Sequence, residues 1–258
     1  MKKLTLVSGL IVLFAGILIY GCKKESLDPG TQPGSSINIT SSTISSSYSW
    51  VGELHNKCLE EIGELNDFPD VTAQQVDSTI KVTIENSPHV VDSLNSSAMA
   101  DARDDLDYVW STPYNTIIND LEDSGYVEND VAEKLVVIRS IVESSSSLNN
   151  AIDSLKSFEV DIENASVFTE DEKTGIILAS ITARYSMNFW NDAHSNPENN
   201  WYAVVESEGN GGGDYYSGFI KRTFKDVVGW VKGFFRNEGS KGRGNSARFR
   251  SSLSSSNL

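Results

Sequence analysis

The stretch that most clearly indicates the fold is residues 169–190, TEDEKTGIILASITARYSMNFW. Thr169 and Glu172 have the spacing of a capping box, in which each side chain hydrogen-bonds the backbone N–H of the other residue. Acidic residues fill the first turn, where the helix dipole favours negative charge. Apolar residues then recur at helical spacing as far as Trp190, and Asn196-Pro197 is a stop signal. The sequence therefore predicts a long helix here.

The same spacing of apolar side chains continues on both sides of this stretch. Thr72 and Gln75 form a second predicted capping box. Helix starts are also predicted at Ser87-Pro88 and at Thr112-Pro113. Only Trp201 to Val205 shows the alternation of a short strand. We therefore expect an all-α bundle of about six or seven helices joined by short loops.

The amino-terminal sequence has the features of an export signal. Lys2 and Lys3 precede an unbroken apolar run over residues 4–20, and Gly21-Cys22 follows at once. A charged start, an apolar centre and a small residue at the cut site are typical of a secretory signal. The alternative is a retained membrane anchor, but the run is at the lower limit of the roughly 17–25 residues that a spanning helix needs.

Ile19-Tyr20-Gly21-Cys22 resembles the lipobox of bacterial lipoproteins. In that family the sulfur of the cysteine receives a diacylglyceryl group, the signal is then cut before the cysteine, and the new amino terminus is acylated with a fatty acid such as palmitate. The resemblance implies that residues 1–21 are a lipoprotein signal peptide and that Cys22 is the lipidated first residue of the mature protein. The expected location is the bacterial cell envelope, anchored in the outer membrane. Cys58 is the only other cysteine, so no internal disulfide is expected.

The chain beyond Cys22 divides by composition and charge. Residues 1–208 carry 12 basic and 33 acidic side chains, whereas residues 209–258 carry 9 basic and 3 acidic ones. Nucleic acid is an unlikely partner for an acidic body, because phosphates need a positive surface. The predicted segments are a flexible Ser/Pro/Gly tether (22–47), an acidic helical body (48–208), a glycine hinge (209–213), a basic amphipathic helix (214–237) and a disordered tail (238–258).

The basic helix separates its apolar and cationic side chains on a helical wheel. Such a pattern is typical of a helix that lies in a lipid interface, and equally of a last helix that docks on the bundle. If the helix contacts a membrane, anionic lipid or an acidic protein surface, the contact residues are predicted to be Phe219, Ile220, Lys221, Arg222, Phe224, Lys225, Trp230, Lys232, Phe234, Phe235 and Arg236.

The candidate catalytic or metal-ligating residues are few. His55 and Cys58 are three residues apart on one predicted helix face and could supply two metal ligands. No further motif completes a shell, so we predict that both are core residues, and we assign neither a metal site nor a cofactor. A catalytic or metal-binding role for this pair stays open as an alternative.

Two short pieces resemble poorly characterised lipoproteins of Bacteroidota. They are Gly52-Glu53-Leu54-His55-Asn56 and Ser186-Met187-Asn188-Phe189-Trp190. Exported proteins of that phylum are O-glycosylated at Asp-Ser/Thr-apolar triplets, which Asp77-Ser78-Thr79, Asp92-Ser93-Leu94 and Asp153-Ser154-Leu155 resemble.

Three functional hypotheses follow from the sequence. The first is a lipid-anchored envelope protein with a non-enzymatic binding or structural role. The second is a membrane-active, antagonistic or toxin-like protein that acts through its cationic carboxy-terminal helix. The third is a hydrolase or metal enzyme centred on His55.

Overall fold

The computed structural model of the chain describes residue 45 and residues 47–66, 68, 70–89, 106–209 and 215–239. Every regular element in this part is an α-helix, which confirms the all-α prediction. In chain order the helices are α1 (Ser49–Gly63), α2 (Ala73–Glu85), α3 (Leu106–Ser111), α4 (Tyr114–Asp123), α5 (Asn129–Ser144), α6 (Leu148–Asn164), α7 (Glu170–Ser195), α8 (Tyr202–Gly209) and α9 (Tyr215–Gly239).

Several predicted features lie outside the described residues. They are the signal peptide and Cys22, the tether as far as residue 44, residues 210–213 of the hinge, the tail beyond residue 239 and the triplet Asp92-Ser93-Leu94. Ser87 and Pro88 lie in a turn, and the helix predicted to follow them is described only from Leu106 onward.

Both predicted capping boxes are confirmed. At the start of α7 the backbone N–H of Glu172 donates to Thr169 Oγ1 at 3.3 Å, and the N–H of Thr169 donates to Glu172 Oε2 at 2.7 Å. Thr72 and Gln75 make the same reciprocal pair at the start of α2. These local hydrogen bonds satisfy backbone donors that a helix start would otherwise leave unpaired, so the boundaries can be predicted from sequence alone.

α7 is the central helix of the bundle. It packs against α1, α5, α6, α8 and α9. Its residues 175–184 are buried without interruption, so this part of the helix is covered on all sides. Apolar residues that recur at helical spacing are typical of one buried face, but small residues such as Ala179 and Ala183 allow neighbouring helices to approach the other faces as well.

Two glycines permit close helix contacts. A Cβ atom added at Gly52 of α1 would lie 2.2 Å from Tyr185 Cδ2 of α7. One added at Gly175 of α7 would lie 2.4 Å from Phe235 Cζ of α9. The absence of a side chain at these positions therefore sets how closely α1 and α9 pack on α7.

The predicted strand at residues 201–205 is wrong. Tyr202 begins α8, and the buried side chains of this segment are Trp201, Val204 and Val205. Their spacing is that of one helical face, and the Trp201 indole donates to the backbone oxygen of Leu59 in α1 at 2.9 Å. Five residues are too few to distinguish the alternation of a strand from the spacing of a helix, and packing against α1 favours the helix here.

Candidate functional site

The predicted membrane-contact residues of α9 are largely inside the protein. Phe224, Phe234 and Phe235 are nearly fully buried, and Trp230 has no exposed surface. The docked arrangement, which the sequence left open beside lipid contact, is therefore the one that the structure adopts. Ile220 and Lys232 are half-buried and Lys221 is exposed. The side chains of Phe219 and Arg236 lie outside the described part.

The cationic side of α9 is also partly buried, contrary to the expectation that it faces water. Arg222 is 3% exposed and Lys225 is 8% exposed. The reason is that α9 packs against α7 and α8 as well as against α3, α4 and α5, so neighbours cover much of its polar side.

Each buried cation has protein groups in place of water. The guanidinium carbon of Arg222 lies 4.8 Å from the centre of the Trp190 ring, within the range of a cation–π contact. Lys225 Nζ donates to the backbone oxygens of Val109 at 2.6 Å and Thr112 at 2.8 Å. These oxygens are at the carboxyl end of α3, where the helix dipole favours positive charge. Burial and the nearby Lys221 lower the pKa of Lys225 to about 8.

Asp226 is the centre of a buried polar cluster that joins α1, α7 and α9. Its Oδ2 accepts hydrogen bonds from Ser186 Oγ at 2.5 Å and from the Trp190 indole N–H at 2.8 Å. His55 Nε2 lies 3.6 Å from the same oxygen. Asp226 and His55 are 1% and 2% exposed. We call these four residues, Asp226, Ser186, Trp190 and His55, the Asp226 cluster.

Asn56 determines which ring nitrogen of His55 carries a proton. The amide nitrogen of Asn56 donates to the Tyr185 backbone oxygen at 3.1 Å, so its Oδ1 is the group that faces His55 Nδ1 at 3.0 Å. Nδ1 is therefore protonated, and a second proton on Nε2 would face Asp226. Burial is the largest influence on the pKa of His55 and lowers it, but the charge of Asp226 and polar contacts with Asp226 and Asn56 raise it overall.

The Asp226 cluster differs from a nucleophilic triad. In a triad the histidine lies between the serine and the carboxylate, whereas here the carboxylate lies between Ser186 and His55. All the side chains of the cluster are within the core, so a substrate has no access to them in this conformation. The geometry is that of a structural network that satisfies a buried carboxylate.

Cys58 is placed in the core, as predicted. Its side chain is 3% exposed, and burial, with a smaller contribution from Glu61, raises the pKa of the thiol to about 12. A thiolate, the form that attacks substrates and binds metals, is therefore disfavoured at neutral pH. Within the described residues, no group of three or more His, Cys, Asp and Glu side chains could hold a metal ion.

The partners of His55 were not predicted from the sequence. Asp226 lies within the apolar stretch Phe224 to Val231, and this isolated acid was the available signal. A carboxylate among core positions needs hydrogen-bond donors, but the sequence does not show that the donors are on α1 and α7.

A second buried ion pair joins α6 to α7. Arg184 donates to both carboxylate oxygens of Glu159, from Nε at 2.7 Å and from Nη2 at 3.0 Å. Ser180 and Ser45 also donate to this carboxylate, at 2.7 and 2.5 Å. Ser45 falls within the predicted tether, so contact with the body begins before residue 48. Like the Asp226 cluster, this pair is fully involved in holding helices together.

Comparisons with known proteins found no relative of this chain. No family model, no curated protein and no solved structure matches the chain. None of the helices in the described part combines the length and the apolar character needed to span a bilayer.

Proposed function

We propose that this chain is a lipid-anchored protein of the bacterial cell envelope, held in the outer membrane, with a non-enzymatic binding or structural role. The observation that carries the proposal is Gly21-Cys22 at the end of the apolar run over residues 4–20. Several acyl chains on Cys22, at about 0.8 kcal/mol per buried methylene, would hold the helical body to the membrane surface.

The arrangement of the ionisable side chains in the core supports a role without catalysis. His55, Asp226, Glu159 and Lys225 are among the buried ionisable groups of the described residues, and each is held in contacts between helices. A general acid or base must reach a substrate within hydrogen-bonding distance. At 1–8% exposure these four side chains serve packing instead. Stoichiometric zinc that either His55→Gln or Cys58→Ala removes would instead favour an enzyme centred on His55.

The packing of α9 counts against the membrane-active alternative. Release of α9 into water would expose Phe224, Trp230, Phe234 and Phe235, at roughly 1.5–3 kcal/mol for each side chain. An anionic leaflet returns about 1 kcal/mol for each basic side chain. Charge alone therefore cannot extract the helix, and its aromatic residues would have to enter lipid at the same time.

The test of the proposal compares the two cysteines. Cells that express the protein are labelled with a palmitate analogue, and Cys22→Ala and Cys58→Ala are the matched variants. We expect Cys22→Ala to abolish labelling and to leave a larger, uncleaved precursor. Cys58 is buried in the core, so Cys58→Ala should be labelled like the wild type. Continued labelling of Cys22→Ala would remove the basis of the proposal.

A further inference from the structure

The imidazole of His55 reaches from α1 to Asp226 on α9. Both helices pack on α7, and both side chains are almost fully buried. Nε2 of His55 lies 3.6 Å from Oδ2 of Asp226, which is within ion-pair distance. Because water cannot take the place of either partner, the charge of the imidazole decides whether this contact attracts or repels.

Asn56 makes this contact depend on the number of protons that His55 carries. The amide nitrogen of Asn56 donates to the Tyr185 backbone oxygen, so the amide oxygen faces Nδ1 of the imidazole and holds a proton there. In the doubly protonated imidazole the second proton, on Nε2, faces the carboxylate of Asp226. A neutral imidazole has one proton, and while Nδ1 keeps it the lone pair of Nε2 points at a carboxylate oxygen. Loss of one proton therefore turns an attraction into a repulsion.

Other titratable side chains near this contact are neutral or are paired elsewhere. On α1, burial raises the pKa of Cys58 to about 12, so its thiol is uncharged at neutral pH. On α9, the guanidinium of Arg222 lies over a tryptophan ring of α7. On α7, Arg184 pairs with Glu159, and the Tyr185 hydroxyl donates to an exposed carboxylate of α1. The buried side chains in the described part of α2 are uncharged: Val76, Ile80, Thr83 and Ile84.

We propose that His55 is a proton-dependent clasp between α1 and α9, and that Asn56 is the positioning residue that gives it this property. The clasp is closed when the imidazole carries two protons and open when it carries one. Burial lowers the pKa of His55, but Asp226 and Asn56 raise it overall, so the clasp opens above the ordinary histidine value of about 6.5. It belongs to the helical body and does not depend on the lipid anchor.

The first measurement identifies the tautomer of neutral His55 by NMR. The full-length protein, which has three histidines, is labelled with nitrogen-15 histidine and titrated in detergent, and His55→Gln assigns the signals of His55. We expect Nε2 to lose its proton as the pH rises while Nδ1 keeps one. A neutral imidazole with its proton on Nε2 would overturn the proposal, because it would still donate to Asp226.

Two matched variants test the role of Asn56. Asn56→Asp and Asn56→Ala both lose the donor to the Tyr185 backbone oxygen, but only Asn56→Asp keeps an acceptor for the proton on Nδ1. We expect neutral His55 to keep the Nδ1 proton in Asn56→Asp and to carry its proton on Nε2 in Asn56→Ala. The same tautomer in both variants would show that Asn56 does not set the clasp.

The second measurement tests the effect of the clasp on the fold, by urea unfolding at the two ends of the His55 titration. Neutral His55 can still donate to Asp226 in Asn56→Ala but not in the wild type. The factor by which Asn56→Ala raises the unfolding equilibrium constant should therefore fall about tenfold as the pH rises, the contribution of one charged hydrogen bond. Burial lowers the pKa of Lys225 to about 8, which adds stability as the pH rises, but this effect is common to both proteins and cancels. A factor that is the same at both ends of the titration would contradict the proposal.

Discussion

At the scale of single residues, Asp226 shows how a carboxylate is accommodated in a helical core. An isolated charge there would be costly, but Ser186 and Trp190 donate to one of its oxygens and His55 adds an imidazole nearby. These three side chains come from two other helices, so the carboxylate also fixes how α1, α7 and α9 fit together.

The first prediction concerns the pH dependence of stability through His55. The folded protein raises the pKa of His55, so the protonated imidazole stabilises the fold. This stabilisation is complete at pH values below the pKa of His55 in the unfolded chain, about 6.5. This contribution is lost as the pH rises through the higher folded pKa. We therefore expect the stability difference between the wild type and His55→Gln to shrink from about pH 5 to about pH 9, measured by urea unfolding.

The control for this experiment is His89→Gln. His89 is exposed and stacks on Trp50 at the surface, so this variant removes a histidine without touching the Asp226 cluster. A stability difference for His55→Gln that stayed constant or grew with pH would show that the protonated imidazole does not stabilise the core.

The second prediction concerns the helix contact at Gly52. Alanine there would place Cβ 2.2 Å from the Tyr185 ring, so α1 and α7 would have to separate or Tyr185 would have to move. We expect Gly52→Ala to lower the free energy of unfolding by about 1–3 kcal/mol. In a double-mutant cycle, Tyr185→Ala should remove most of that penalty. A full penalty in the double variant would show that the contact with Tyr185 is not its cause; helix propensity could not explain it either, because alanine is a better helix former than glycine.

At the scale of elements, α9 illustrates how an amphipathic pattern can be misread. Its aromatic side faces the core, and part of its cationic side is covered by α3 and α4, where Lys225 takes up the free backbone oxygens at the end of α3. The short helix α3 packs against the cationic side of α9 and changes the environment of Lys225. Lys225, one of the cations that suggest a lipid surface, thus serves as a cap of α3.

The third prediction follows from the burial of Trp230. In protein labelled with 5-fluorotryptophan, the fluorine signal of Trp230, assigned with Trp230→Phe, should be unchanged by anionic vesicles because the side chain has no exposed surface. The half-buried Trp50 provides a comparison within the same sample. A peptide of residues 214–237 should by contrast become helical on anionic vesicles, since nothing covers its apolar side. Movement of the Trp230 signal on lipid addition would favour the membrane-active alternative.

At the scale of the whole molecule, the acidic body and the basic end are not separate modules. The described part of the basic end is α9, and it contributes Arg222, Lys225 and Asp226 to the interior of the bundle. The acidic body and the basic end thus share one core. A bundle of this kind is expected to unfold as one unit.

The fourth prediction tests this unity by truncation. A chain that ends at residue 213 lacks α9, so it should lose its fixed near-UV circular dichroism and its cooperative unfolding, because the core faces of α4 and α7 become exposed. The matched control ends at residue 239, which removes four of the nine basic side chains that follow residue 213 and keeps α9 intact; it should unfold like the wild type. A cooperative transition at the wild-type temperature in the shorter chain would show that α9 is peripheral.

How much of this molecule the sequence could predict depends on the range of the interactions. Capping boxes involve residues three apart, so the starts of α2 and α7 were predictable and are confirmed. The all-α class follows from periodicity within each helix and is also confirmed. The segment at residues 201–205 was too short for its pattern to be decisive, and its burial against α1 makes it helical.

The sequence by itself determined the helical class, the starts of α2 and α7, and the core positions of His55 and Cys58. Only the tertiary structure decided that His55 faces Asp226, that Glu159 pairs with Arg184, and that two cations of α9 are buried. The physical reason is that a side chain's environment depends on which helices surround it. His55 and Asp226 are 171 residues apart in the sequence, and no local pattern on either helix specifies its partner on the other.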